Sequence, residues 1–182
     1  MTLLYVRHGQ TDWNARRLIQ GRTDIPLNET GREQARVQAA ALANEAIDMM
    51  IASPMLRARE TAEIIQQVVD VPLHFDDRLI ERCYGDFEGT DPRGGQLIFE
   101  QELAQNNAEP LAELHERVLG FLEGIAAKYV GKTVLVVAHG GVGRMVQHCY
   151  HSERTVRIEN GKMMRFEGEL IGRTPPEIVT YE

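Results

Sequence analysis

The sequence predicts an α/β fold, a three-layer sandwich in which a mainly parallel sheet carries helices on both faces. Three observations lead there. Short apolar runs alternate along the chain with segments of helical pattern, the order expected of strands joined by helical crossovers. Two of the runs, Leu3-Leu4-Tyr5-Val6 and Thr133 to Ala138, are continuously apolar, as strands buried on both faces are. Three run ends carry chemically competent residues, Arg7-His8, Ser53 and His139, and open parallel sheets bind ligands beyond the carboxyl ends of their strands.

Taken in order, residues 2–6 read as a buried strand and 9–27 as loop, with Gly21, Pro26 and several polar residues. Asn28 to Gly31 look like a helix start, and Arg32 to Ala46 are alanine-rich with good helical propensity. Met49 to Ala52 is the second strand. Ser53-Pro54 reads as N-cap and first helical position of a helix whose Ala58, Thr61, Ala62, Ile65 and Val69 share one face. Val71 to Phe75 is a third strand, and 77–98 is irregular. Leu111, Leu114, Val118, Leu122, Ile125 and Tyr129 trace an amphipathic helix. Residues 133–138 form the late strand, followed by a helix from Val142 to Tyr150. Segments 155–159, 163–167 and 177–181 read as short strands or a hairpin.

A chain of 182 residues, 43% hydrophobic, suits a single domain spanning 1–182 with a real core. Its net charge of -7 argues against nucleic acid or an anionic membrane as partner, and the first apolar run is too short to span a bilayer. Of 20 basic residues only Lys128, Lys132 and Lys162 are lysine; the rest are arginine, suited to forked contacts with phosphate or carboxylate. Cys83 and Cys149 are the only cysteines. With no apolar signal segment after Met1, the expected location is cytoplasmic.

The two strand-end histidines suggest phosphoryl transfer. A neutral imidazole is nucleophilic at one nitrogen when an acceptor holds its other N–H, and Arg7 beside His8 can neutralise phosphoryl oxygens. The plainer alternative is a histidine that merely caps a strand. His139 can share the phosphoryl site or, with His8, bind a metal; no His-x-x-x-His or Cys-x-x-Cys pattern supports the metal. Arg57 stands near a helix start, where anions are favoured, with Arg59 as competitor on a different face. Glu81 is a candidate general acid, with Asp86 and Glu88 as rivals on spacing alone. The Cys149 to Arg154 segment is one residue too short for a cysteine-phosphatase loop and has no glycine. Gly140-Gly141-Val142-Gly143 lacks the third glycine of a dinucleotide site.

Arg7-His8-Gly9-Gln10-Thr11-Asp12-Trp13-Asn14, Gln20-Gly21-Arg22-Thr23-Asp24-Ile25-Pro26-Leu27, Ser53-Pro54-Met55-Leu56-Arg57-Ala58 with Thr61-Ala62, Leu79-Ile80-Glu81 and Ala138-His139-Gly140-Gly141 occur in one order. Together they resemble the histidine phosphatase superfamily in its phosphoglycerate-mutase-like branch, of the broad-specificity phosphatase type. The resemblance implies that His8 is the phosphorylated nucleophile, that Arg7, Arg57 and His139 line the phosphate pocket, and that Glu81 donates and then accepts a proton. It further implies that Asn14, Gly21 and Gly140 lie around the bound group, in an α/β sandwich that needs no cofactor and no metal.

Two departures stand out. Gln10 occupies a position where glutamate is frequent, and Ala108-Glu109-Pro110 replaces the Gly-Glu-Ser that relatives often carry. The lid or insert around 82–110 is short, and Arg82 and Arg93 are its only lysine or arginine residues. That poverty of cations favours hydrolysis of a small phosphorylated substrate over mutase-type transfer. A non-catalytic phosphate-binding scaffold is the remaining alternative.

Overall fold

The computed structural model describes residues 1–91, 103, 105–151 and 155–171. Five strands form one sheet: β1 (Thr2–Arg7), β2 (Met49–Ala52), β3 (Leu73–Phe75), β4 (Thr133–Ala138) and β5 (Met163–Phe166), in the spatial order β3-β2-β4-β1-β5. All pairings are parallel except β1 with β5, which is antiparallel. The described helices are a short α1 (Asp12–Ala15), then α2 (Glu29–Leu42), α3 (Leu56–Val69), α4 (Leu111–Lys128) and α5 (Gly140–His151).

The continuous apolar runs follow from this layering. Leu4, Val6, Met50, Ala52, Leu135 and Val137 face one way, packing with Ala39 and Leu42 of α2 and Ala62 and Ile65 of α3. Leu3, Tyr5, Ile51, Val134, Val136 and Ala138 face the other, against Leu114, Val118 and Leu122 of α4 and Val142 and Met145 of α5. Successive strand residues point to opposite faces, so a strand covered on both sides has no polar alternation to show.

Four expectations need correction. The segment 9–27 is not all loop, because α1 closes through a capping box between Thr11 and Asn14; four residues are too few to display a period. The helix in the second crossover begins at Leu56 with Met55 at the N-cap, not at Ser53-Pro54. The Asp24 carboxylate accepts the Leu56 N–H at 2.8 Å from across the loop, and the Ser53 hydroxyl is engaged elsewhere. The helix after Asn28 ends at Leu42, short of Ala46. Residues 155–159 form no strand: Val156 pairs with the Gln147 side chain at 2.8 and 2.9 Å, and Ile158 gives its carbonyl to Arg7. Arg93, Arg154 and the 177–181 segment lie outside the described residues.

Gly9 and Gly31 bring the first strand's exit onto α2. A Cβ on Gly9 would overlap the Gly31 carbonyl oxygen, and one on Gly31 would overlap the Gln10 carbonyl oxygen. Backbone cannot yield as a side-chain end can. Gly31→Ala should therefore lower stability by about 1–3 kcal/mol, even though alanine is the better helix former by ~1 kcal/mol. Urea unfolding checks this; an unchanged or raised midpoint would show that the contact is loose.

Candidate active site

The register of the central strands builds the site. β1 and β4 run in parallel with Arg7 opposite Ala138, so His8 and His139 leave the sheet side by side. The His8 N–H donates to the Ala138 carbonyl at 2.9 Å, and the Ser53 N–H, leaving β2, donates to Val137 at 3.0 Å. The imidazole rings of His8 and His139 sit 5.2 Å apart, centre to centre, tilted by 60°. Both are buried.

His8 Nδ1 lies 2.7 Å from the Gly9 carbonyl oxygen. A carbonyl only accepts, so Nδ1 carries the proton and Nε2 keeps its lone pair. Burial, then the Arg57 and Arg7 charges, hold His8 well below the usual histidine range. His139 is held low by burial first and then by Arg57, His8 and Arg7. Both rings are therefore neutral near pH 7.

Arg57 is a buried cation and Arg7 a half-buried one, and both are held by carbonyls. Arg57 donates through Nη2 to Gly21 at 2.7 Å and through Nη1 to Thr23 at 3.0 Å. Arg7 donates through Nη1 to Ile158 at 2.7 Å. Burial pulls Arg7 down to about 10, still charged at neutral pH, and the Glu81 charge opposes that fall. Arg57 is likewise lowered by burial and supported chiefly by Glu81. The Nε atoms of Arg7 and Arg57 and Nδ1 of His139 are buried without a hydrogen-bond partner among the described residues. A buried polar atom left unpaired costs about 1–3 kcal/mol, so three of them around one histidine mark a place built to receive an acceptor.

Glu81 stands at the start of α5. Its Oε2 accepts the Gly141 N–H at 3.0 Å, and its Oε1 accepts Val142 at 3.2 Å and Arg82 at 2.9 Å. Its rivals are otherwise employed. Glu88 accepts from the backbones of Arg22, Thr23 and Tyr84 and from the Thr23 hydroxyl, at 2.6 to 3.1 Å. Asp86 is exposed, with Asn107 at 3.4 Å. Arg59 turns away to stack over Phe75.

The other motif residues support this arrangement. Gly21 adopts a positive φ of 51° and offers its carbonyl to Arg57. Gly140 lies under the Arg7 guanidinium, where a Cβ would come within 3.3 Å. Asn14 is half-buried, and its Oδ1 accepts from the Thr11 N–H at 3.2 Å and from Asn160 at 3.1 Å. Gln10 accepts from Asn28 at 3.0 Å. Glu109 binds Arg117 at 2.7 and 2.9 Å and Arg22 at 3.3 Å.

Three supports escaped the sequence reading. Thr61 accepts the Gly9 N–H at 3.1 Å. Asn160 donates to the His8 carbonyl at 3.1 Å, and the Gly161 N–H is shared between the carbonyls of Arg7 and His8, both at 3.1 Å. Asn160-Gly161 is a turn signal, but nothing in the dipeptide says which backbone it meets.

The model of the histidine phosphatase superfamily (branch 1) matches residues 3–165. Among curated relatives, the uncharacterized phosphatase PhoE of Bacillus subtilis is 42% identical over 135 residues, 74% of this chain and 69% of the relative. The probable phosphoglycerate mutase GpmB of Photorhabdus laumondii is 34% identical, over 89% of this chain and 82% of its own. Among solved structures, Bacillus stearothermophilus YhfR superposes with a TM-score of 0.81 at 27% identity, covering 95% of each chain.

The depressed histidines fix a pH dependence. In the unfolded chain each titrates near ~6.5, so below that pH the unfolded state binds more protons than the native state and stability falls as pH falls. The contribution is complete above the unfolded value. From about pH 6 to 5, the wild type should lose up to ~1.4 kcal/mol more than His139→Gln, read by urea unfolding at each pH. Parallel slopes would mean that His139 takes up its proton within the fold.

Proposed function

This chain belongs to the histidine phosphatase superfamily (branch 1) and is an enzyme of that family, and from that premise we propose that it hydrolyses phosphomonoesters of small metabolites through a phosphohistidine on His8. The observation that carries the reading is the tautomer of His8: Nδ1–H is committed to Gly9, so Nε2 is the nucleophile. Arg7 and Arg57 supply charge beside it, and burial makes each charge-assisted contact stronger than it would be in water.

His8 Nε2 forms a bond to phosphorus as the opposite ester P–O bond breaks, and Glu81, having taken up the proton of the monoanionic ester, passes it to the departing alcohol. Arg7, Arg57 and His139 hold the equatorial oxygens in the loose transition state. Water then attacks phosphorus, Glu81 takes the water proton, the N–P bond breaks, and the proton leaves with inorganic phosphate, returning free His8 and ionised Glu81. Two guanidinium groups neutralise the transferring charge, so the reading requires neither metal nor cofactor. It takes 1–182 as one domain with a short lid around 82–110. It also places the enzyme in the cytoplasm, supported by the free thiols of Cys83 and Cys149; among the described residues no helix is long and apolar enough to cross a membrane.

A second reading, transfer to another phosphorylated acid, is favoured by the relatives named as probable phosphoglycerate mutases. Against it stands Arg82. It is buried, with Nε donating to the Glu109 carbonyl at 2.8 Å, and so is not a cation offered to a second anionic substrate.

His8→Ala should abolish turnover of p-nitrophenyl phosphate and the acid-labile phosphoenzyme trapped by rapid quench, while EDTA leaves wild-type turnover unchanged. Retained turnover in the variant would overturn the nucleophile. Glu81→Gln should slow alkyl phosphates by about 10²-fold or more and p-nitrophenyl phosphate far less, because nitrophenolate leaves without a proton. Equal losses on both would remove Glu81 from the proton-transfer role. Ranking kcat/KM over a panel of phosphorylated metabolites, with water and phosphoglycerate compared as acceptors, separates hydrolase from mutase and names the substrate class.

A further inference from the structure

Ser53 is fully buried, and its Oγ lies 2.8 Å from Nε2 of His139. The same oxygen accepts the Met55 N–H at 3.4 Å. No carbonyl or carboxylate is paired with the hydroxyl among the described contacts. If Oγ accepted a second proton from His139, its own O–H would be a buried donor with nothing to bond. The arrangement that leaves the hydroxyl proton paired has the Ser53 hydroxyl donate to Nε2. A neutral His139 then carries its hydrogen on Nδ1, the ring nitrogen left buried and without a partner.

From this geometry we infer that Ser53 is a positioning residue, which sets the tautomer of His139 so that Nδ1–H is a hydrogen-bond donor to the phosphoryl oxygens held at His8. The inference rests on the proposed phosphohistidine chemistry and deepens it. In the opposite tautomer Nδ1 would turn a lone pair toward the equatorial oxygens and repel them. One hydroxyl thus decides whether the second histidine attracts or opposes the transferring group. His8 and His139 are set alike in outcome but by different partners: a carbonyl can only accept from His8, whereas a hydroxyl donates to His139. Both leave Nδ1 protonated. In His8 that frees Nε2 to attack; in His139 it makes Nδ1 the donor.

The test is 15N NMR of the full-length protein labelled at histidine, read first on the wild type. The expected result is a neutral His139 with its proton on Nδ1; a proton on Nε2 overturns the inference without any variant. Ser53→Ala, shown to be folded by circular dichroism, should shift His139 toward the Nε2–H form. It should also weaken binding of inorganic phosphate at least tenfold and cut kcat/KM by about 10²-fold, the order of losing one preorganised donor. The loss should be equal for alkyl and aryl phosphates, unlike that of Glu81→Gln. An unchanged tautomer with phosphate affinity within about twofold of wild type would overturn the role of Ser53 while leaving His8 as nucleophile. Turnover surviving in His8→Ala would instead overturn the underlying chemistry, whatever the tautomer.

Discussion

Two strands lying side by side in the same direction decide most of what this molecule can do. The pairing of β1 with β4 puts Arg7 level with Ala138, so the next residue of each strand is a histidine, and both leave the sheet at its carboxyl edge. A slip of one residue would turn every side chain of β1 to the other face. Leu3 and Tyr5 would then leave the α4–α5 layer and Leu4 and Val6 the α2–α3 layer. The register is thus enforced by apolar packing on two sides, and the separation of the two imidazoles inherits that rigidity. The chemistry proposed at His8 needs a partner set at fixed distance, and the hydrophobic core supplies the fixing.

The arginines of the site differ in kind from those of the surface. Arg36 and Arg165 pair with glutamates in exposed ion pairs, the sort worth ~1 kcal/mol or less. Arg7 and Arg57 are held instead by backbone carbonyls. A carbonyl dipole orients a guanidinium without cancelling its charge, so the field reaches whatever sits at His8. Glu81 offsets some of the cost of burying both cations, while its oxygens stay bonded to backbone N–H groups. Charge in this cleft is therefore kept available for a ligand, although the chain as a whole is acidic. Burial and these two cations also keep both histidines neutral, the form in which one can attack and the other can donate.

The sequence spoke clearly where structure is local or enforced by the core. Continuous apolar runs identify β1, β2 and β4 because strands covered on both faces need no polar side. The helical face of α4 is readable from Leu111 to Ile125 because burial along one stripe repeats. The candidate site residues are legible because they stand at the ends of those strands. Side-chain partners across long sequence gaps are not. Ser53 looks like an N-cap and serves His139, 86 residues away, while the cap it was expected to form is supplied by Asp24. Asn160 bonds the His8 carbonyl from 152 residues away. Asp86, Glu88 and Glu81 are equivalent as composition, and only the folded loop separates a solvated carboxylate, a loop clamp and the one that meets α5.

Glu88 shows why the loop that carries Glu81 and the turn that holds Arg57 cannot vary independently. It lies close after Glu81 in the same irregular segment, yet its carboxylate gathers the amides of Arg22 and Thr23. Those residues belong to the turn whose Gly21 and Thr23 carbonyls hold Arg57. A Cβ on Gly21 would collide with the Glu88 carboxylate, so the turn and the loop are fitted to each other. From the far side, Glu109 takes Arg22 and the Cys83 N–H, at 3.3 and 3.4 Å. Displacing the 81–88 segment would therefore shift the carbonyls behind Arg57 as well as the carboxylate of Glu81. Substrate specificity must then be varied in parts of the entrance that do not bear on Glu88 or Glu109, since a change felt by either carboxylate is passed to the Arg57 guanidinium.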